Sequence, residues 1–422
     1  MSLPTESSPL LENGNGHHSP KPFASRVLDL FKAPGQPSWL KSYNFFFFGS
    51  WFNLFLLFVP LSATAHYLNW DAGLRFIFSF IAIMPLASLL GTATEQLSLE
   101  LGQTLSGLLN ASFGNAVEII VGVTALMQGQ VRIVQTSLLG SILSNLLLVL
   151  GCSFLAGGLK FPESNFQVTA AQASSSLMTL SCITLVIPAA YHSAKSHAGG
   201  VDNTTLALIS GMDFIYDGSD LENIYADGLK FISRGTAILL LIVYIAYLYF
   251  QLRSHAFLFT AEEDEEPEQA EMNTVSAGFA LLLVTVVTSF CADYLVASIE
   301  ETADRYNIPK AFIGLILLPI VANAAEHVTS VWMALKGKME LTIGICVGSS
   351  IQISTFVVPL LVIVGWITHH DLTLFFADFE TIVLFVSVLL VNFLIQDGKS
   401  NYMEGLMLVT LYLVIALAFW VS

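Results

Sequence analysis

The same short run of residues occurs twice in this chain, each time inside an apolar stretch long enough for lipid. The first copy is Gly114-Asn115-Ala116-Val117-Glu118, and 208 residues later stands Ala322-Asn323-Ala324-Ala325-Glu326. The same offset carries Gly129 onto Gly337 and Gly140-Ser141 onto Gly348-Ser349. The repeated unit is thus a carboxylate helix followed by a Gly-Ser helix. A carboxylate at the centre of an apolar helix costs roughly 2.5–3.5 kcal/mol on insertion scales, and by default it marks an ion or proton pathway. Two of them in register point to an internally duplicated transporter.

Composition agrees with a chain that lives in a bilayer. Hydrophobic residues make up 55% and charged residues only 11%, where a soluble chain would carry about 25% charged. This predicts an all-α polytopic membrane protein. Eleven spans are expected, near 43–64, 75–93, 103–127, 132–157, 167–193, 233–254, 273–298, 308–334, 340–366, 373–395 and 403–421. The carboxylate motifs fall in the third and the eighth. Five spans separate them, so the two copies run in opposite directions through the membrane. The expected layout is one N-terminal helix (43–64) plus two inverted five-helix repeats, 75–254 and 273–421, with the binding site near the midplane where they meet.

The first 42 residues are polar, show no cleavable signal peptide, and are expected to be a disordered cytoplasmic tail. Lys21, Arg26, Lys32 and Lys41 precede the first span and place that tail in the cytoplasm. The segment 255–272 then joins the repeats on the same side. It carries Glu262, Glu263, Asp264, Glu265, Glu266, Glu268 and Glu271. Such a run is ordinarily a solvated linker, and the alternative is a collector of cations at the cytosolic entrance. An insertion at 197–228, with the sequon Asn203-Thr204-Thr205, falls on the lumenal side. The net charge of −16 argues against a nucleic-acid partner. Cys152, Cys182, Cys291 and Cys346 lack metal-ligand spacing and read as small core hydrophobes.

The chemistry starts with Glu118 and Glu326. An intramembrane carboxylate relieves its cost by holding a proton or a cation, and two facing ones ionise together when a divalent ion sits between them. Protons and that ion then compete for the same oxygens. The bland alternative is a pair of glutamates locked in helix-helix hydrogen bonds. Hard cations such as Ca²⁺ take about 6–8 oxygen ligands. Asn115 and Asn323 stand three residues before each glutamate, close to the same helix face. Ser141, Ser349, Ser350 and Gln352 offer further oxygens from the Gly-Ser helices, though Ser350 and Asn145 fit equally well as interhelical glue. His327 has Ile119 as its counterpart and is either a proton relay or a packing histidine. Glu95 and Glu301 lie near the ends of the preceding helices, as gate residues or solvated ends. No H-E-x-x-H or G-x-S-x-G supports an enzyme, and no cofactor is expected beyond Ca²⁺ as transported ion.

These residues resemble the Ca²⁺/H⁺ exchanger family of the cation/Ca²⁺ exchanger superfamily. The stretch from Thr94-Glu95-Gln96 through LLNASFGNAVEIIVG is similar to its first repeat, and LLPIVANAAEHVTSV with GSSIQISTFVVPLLVIVG to its second. The segments Ser233–Ala237 and Gln251–His255 look most like fungal vacuolar members. The resemblance implies that Glu118 and Glu326 carry Ca²⁺ and protons, with Asn323, Ser141, Ser349 and Gln352 near the cation path. It implies Glu95 as a conduction-pathway acid and the acidic linker as a cytosolic acidic helix. Ala322 departs from the Gly usual there. The function implied is proton-coupled Ca²⁺ uptake into the vacuole, from a multi-pass protein in the vacuolar membrane. Mn²⁺ stays open as a cargo, and a Na⁺-coupled exchanger or a Ca²⁺ channel as alternatives. The run Glu6-Ser7-Ser8-Pro9-Leu10-Leu11 reads as an acidic dileucine signal of the vacuolar type.

Overall fold

A computed structural model describes residues 36–101, 103–198, 218–256 and 270–421. The dileucine run, the sequon, most of the insertion and the acids from Glu262 to Glu268 lie outside the described residues. Within them the chain is almost entirely helical, in the order α1 (Trp39–Phe48), α2 (Trp51–Tyr67), α3 (Ala72–Leu101), α4 (Gln103–Phe113), α5 (Ala116–Met127), α6 (Val131–Lys160) and α7 (Val168–Ala198). There follow α8 (Gly218–Tyr249), α9 (Thr274–Tyr306), α10 (Lys310–Ala322), α11 (Ala324–Leu335), α12 (Met339–Thr368), α13 (Asp378–Leu394) and α14 (Tyr402–Trp420). Among the described residues, seven helices are long and apolar enough to cross a membrane, or nine when each of two bent pairs counts as one span.

Three expected spans are broken. The stretch read as 43–64 is α1 and α2, meeting at 84°. Ser50 is extended there, and Asn53 Nδ2 donates to the carbonyls of Phe46 and Phe47 at 3.0 and 3.2 Å, which satisfies the end of α1 and fixes the corner. The stretch 103–127 divides into α4 and α5 at Gly114-Asn115, and 308–334 divides into α10 and α11, bent by 58° at Asn323. Interrupted helices at membrane depth need protein or a water-filled cavity around them, which makes the breaks informative about the site.

The two motif regions build matching backbone. Ile119 N donates to Asn115 O, and His327 N to Asn323 O, at 3.1 and 2.9 Å. Both motif helices end on a glycine at positive φ, +73° at Gly129 and +80° at Gly337, a conformation that a side chain would strain. The following helices each carry a π-helical turn, Ser144–Val149 in α6 and Ile353–Val357 in α12.

Contacts between distant helix ends sort the molecule into two faces, named by the two ends of α6. On the Arg132 face, Arg132 pairs with Glu380, Arg305 with Asp71, Arg234 with Asp371 and Lys310 with Glu300. On the Lys160 face, Lys160 donates to Leu335 O at 2.7 Å, Lys399 pairs with Glu163, and Lys41 with Glu271 at 2.9 Å. Here β1 (Ser164–Asn165) and β2 (Lys399–Ser400) form a two-residue antiparallel ladder, a small exception to the all-helical expectation. Helix α6 is central, with 83% of its apolar window buried, against 22% for Asp227–Ser254 at the rim. The outer surface is apolar, with Leu239, Leu282, Phe393 and Leu417 all more than 60% exposed. Water would penalise that exposure and lipid does not.

Candidate functional site

Helices α5 and α11 both start in the middle of the protein, and each starts on an asparagine. Asn115 and Asn323 occupy the N-cap positions, where an amide ordinarily accepts from the helix's own first amides. Neither makes that bond. Each reaches into the other motif's Gly-Ser helix instead. Asn115 Nδ2 donates to Gln352 Oε1 at 2.6 Å, and its Oδ1 lies 2.9 Å from Ser349 Oγ. Asn323 Nδ2 donates to Ser141 O at 3.2 Å. Because neither asparagine oxygen caps its own helix, the helix N-termini stay electropositive toward whatever sits in front of them.

What sits in front is the glutamates, in the first turn of each helix. Glu118 is buried and Glu326 half-buried, and both line one cavity of about 660 Å³. Ser349 Oγ is 3.2 Å from Glu326 Oε1 and accepts from Asn145 Nδ2 at 2.8 Å, so its single proton serves either Asn115 or Glu326. Four oxygens in this network are buried and make no hydrogen bond: Glu118 Oε1, Glu326 Oε2, Asn145 Oδ1 and Asn323 Oδ1. Buried acceptors are almost always satisfied in a finished fold, so oxygens left without a donor beside this cavity are able to accept a positive guest. None of the described cavity-lining residues is Lys or Arg. No three His, Cys, Asp or Glu come together among the described residues, so the donors around the two carboxylates are amides and a hydroxyl. That is a hard-cation set.

The sequence-predicted residues divide cleanly by place. Glu118, Glu326, Ser349 and Gln352 line the cavity, and Glu95 lines it farther toward the Lys160 face, near the end of α3. Asn115, Asn323 and Ser141 join through the hydrogen bonds just described. Ser350 is fully buried outside the cavity lining and donates to Cys346 O at 2.8 Å. Glu301 also stays outside, paired with Arg75. His327 turns away from Glu326 into a separate groove with Cys152, Val331 and Trp332, as successive helix positions about 100° apart allow. Glu271, at the end of the acidic linker, pairs with Lys41 while its amide donates to Gln96 Oε1 at 2.8 Å. Asn145 belongs to the site more clearly than its sequence suggested. Its signal was the π-turn it sits in, since such turns cluster at functional positions, and no local pattern announces one.

A profile of the family described as sodium/calcium exchanger protein matches residues 72–253 and 276–421. The vacuolar calcium ion transporter of Schizosaccharomyces pombe is 47% identical over 373 residues, covering 88% of this chain and 85% of that protein. The vacuolar cation/proton exchanger 2 of Oryza sativa subsp. japonica is 42% identical, covering 87% and 81%. Among solved structures, native YfkE superposes with a TM-score of 0.69 at 32% identity, covering 88% of this chain and all of that one.

Proposed function

The chain belongs to the sodium/calcium exchanger protein family, and within it we propose a proton-coupled Ca²⁺ antiporter of the vacuolar membrane. The observation that carries this reading is the pair of glutamates in the first turns of α5 and α11, which line one cavity and each keep a buried oxygen without a hydrogen bond. The relatives support it: two are named as vacuolar Ca²⁺ or cation/proton transporters, and YfkE is described as a Ca²⁺/H⁺ antiporter.

In this reading Glu118 and Glu326 bind Ca²⁺ directly, with Asn323 Oδ1 and Asn145 Oδ1 completing the ring and water supplying the rest. Asn115, Ser349 and Gln352 hold the two halves in register, and Ser141 contributes the carbonyl that orients Asn323. When Ca²⁺ leaves, each carboxylate takes a proton, which removes the cost of a bare charge in the membrane. Reorientation with either load is permitted, and with neither it is penalised. That exclusion is the coupling.

The layout proposed is eleven spans, counting α4 with α5 and α13 as crossings, in two inverted repeats behind α1 and α2. The Lys160 face is cytosolic, because it holds Lys41, one of the basic residues that precede the first span and that the positive-inside rule puts in the cytoplasm. The large cavity therefore faces the cytosol, with Glu95 at its mouth and Glu271 on the same face.

The test is ⁴⁵Ca²⁺ uptake by the purified chain in vesicles with an acidic interior. Uptake that collapses with a protonophore supports the reading. Uptake indifferent to the pH gradient but driven by outward Na⁺ moves the chain to Na⁺ coupling, and flux that follows voltage alone makes it a channel.

A further inference from the structure

A second, smaller cavity repeats the main one on the other side of Glu118. It measures about 20 Å³, room for about one water, and eleven of the described residues line it. Shifted by 208 positions, nine of the eleven fall on residues lining the large cavity. Glu118 maps onto Glu326 and Ser141 onto Ser349, while Leu295 maps onto Ala87, Leu318 onto Asn110 and Ala322 onto Gly114. Among the described residues only 29 line the large cavity, so chance placement would not give this overlap. Glu118 lines both cavities, and Glu326 only the large one.

Glycine packing gives an independent reading of the same asymmetry. A Cβ on Gly140 would meet Leu315 O at 2.2 Å, and one on Gly314 would meet Thr136 Oγ1 at 2.0 Å. Helices α6 and α10 therefore touch at backbone distance. The counterparts of Gly140 and Thr136 are Gly348 and Gly344 in α12, where a Cβ would meet nothing within 4 Å.

We infer that the small cavity is the collapsed twin of the large one, and that the second access route to the carboxylates runs from Glu118 past Ser137, between α6 and α10, to the Arg132 face. Leu295 and Leu318 fill this route where Ala87 and Asn110 leave its twin open. Opening it requires α10 to leave Gly140. Closing the large cavity brings α4 down onto the empty space at Gly348. The inference rests on the alternating-access reading above and adds to it the identity of the closed route and of its stop.

The test is reciprocal thiol labelling of the full chain, purified with Cys152 replaced by Ser and carrying either Ser137→Cys or Ile345→Cys, the paired positions of the two cavities. A hydrophilic maleimide is applied with Ca²⁺ at neutral pH, and in acid without Ca²⁺. Modification at each position is read by peptide mass spectrometry. Position 345 should label readily, and conditions that raise labelling at 137 should lower it at 345. Adding Gly348→Leu props the large cavity open and should slow labelling at 137 by about tenfold or more, because it removes the minor state of a two-state equilibrium. Gly348→Ala should act in the same direction more weakly, so a poorly folding leucine variant does not decide the matter. Parallel labelling of the two positions, or labelling at 137 indifferent to both Gly348 variants, overturns the inference. So does absence of labelling at 137 in every condition while the unsubstituted chain exchanges ions in vesicles. Failure of that exchange itself strikes the proposed function instead.

Discussion

Gly140 and Gly348 occupy the same place in two copies of one motif, and their surroundings differ completely. Gly140 is pressed against the backbone of α10, while Gly348 faces an open cavity. The backbones that lead to them match, down to the π-turn after each serine and the positive-φ glycine before each helix. What separates the copies is therefore packing and not local conformation. A chain with two equivalent halves in inequivalent states already contains the template for its other state, since each half shows the arrangement open to its twin.

The sharpest way to break the comparison is to neutralise the two glutamates separately. Glu118→Gln and Glu326→Gln should each abolish exchange, a loss of at least about a hundredfold, with protein yield near that of the parent, because the site needs two ionisable groups for a doubly charged guest. Vesicle uptake checks it. Normal transport by either variant removes the paired-carboxylate mechanism.

Next in size is the ion pair on the Arg132 face. Glu380 is 1% exposed, is held by Arg132, and accepts from its own N-cap amide at Ala377. Arg132→Ala strands that charge and should cost about 3 kcal/mol. The counterparts of Arg132 and Glu380 are Glu340 and Gln172, so the ion pair is not repeated on the other face, and Gln172→Ala, at an exposed position, should cost within about 0.5 kcal/mol. Thermal unfolding in detergent measures both.

The glycines give a smaller, directly paired effect. Gly140→Ala forces α6 from α10 and should destabilise by about 1–3 kcal/mol, whereas Gly348→Ala meets open space and should leave the melting temperature nearly unchanged. Equal shifts would mean that the two environments interconvert freely.

The smallest effect concerns acid. The Lys230 ammonium, and after it the Arg234 guanidinium, hold the Asp371 carboxyl below its ordinary value despite partial burial. A depressed carboxylate stabilises above its unfolded-state pKa and loses that contribution only as pH falls through its lower folded-state value. Asp371→Asn should thus cost less than about 1 kcal/mol, equally at neutral and mildly acidic pH, and the difference should vanish only in strong acid. Melting curves across that range would show it. An early loss would make this contact an acid-released latch.

Much of this was legible in the sequence because the motif is written twice in one register. Glu118, Glu326, Asn115 and Ser349 were found that way, and periodic apolar stretches located most helices. The corner between α1 and α2 was not legible, since it depends on Asn53 capping carbonyls earlier in the chain. Position near a helix end reads Glu301 as either a gate or a solvated end, and its partner Arg75, 226 residues away, is out of reach of any local pattern. His327 borrowed significance from its neighbour Glu326, and helix geometry sent it elsewhere. Asn145 went undecided because its role comes from a π-turn and a contact to Ser349 across 204 residues. Local pattern reports which groups exist, and long-range packing decides which of them meet.

Coupling itself is best tested by recording Ca²⁺ uptake and proton release in the same acid-loaded vesicles, for the parent chain and for Glu326→Gln. Two fluxes that rise together in the parent and vanish together in the variant are the expected result. Ca²⁺ uptake that continues without proton release, in either protein, would contradict the shared-site mechanism.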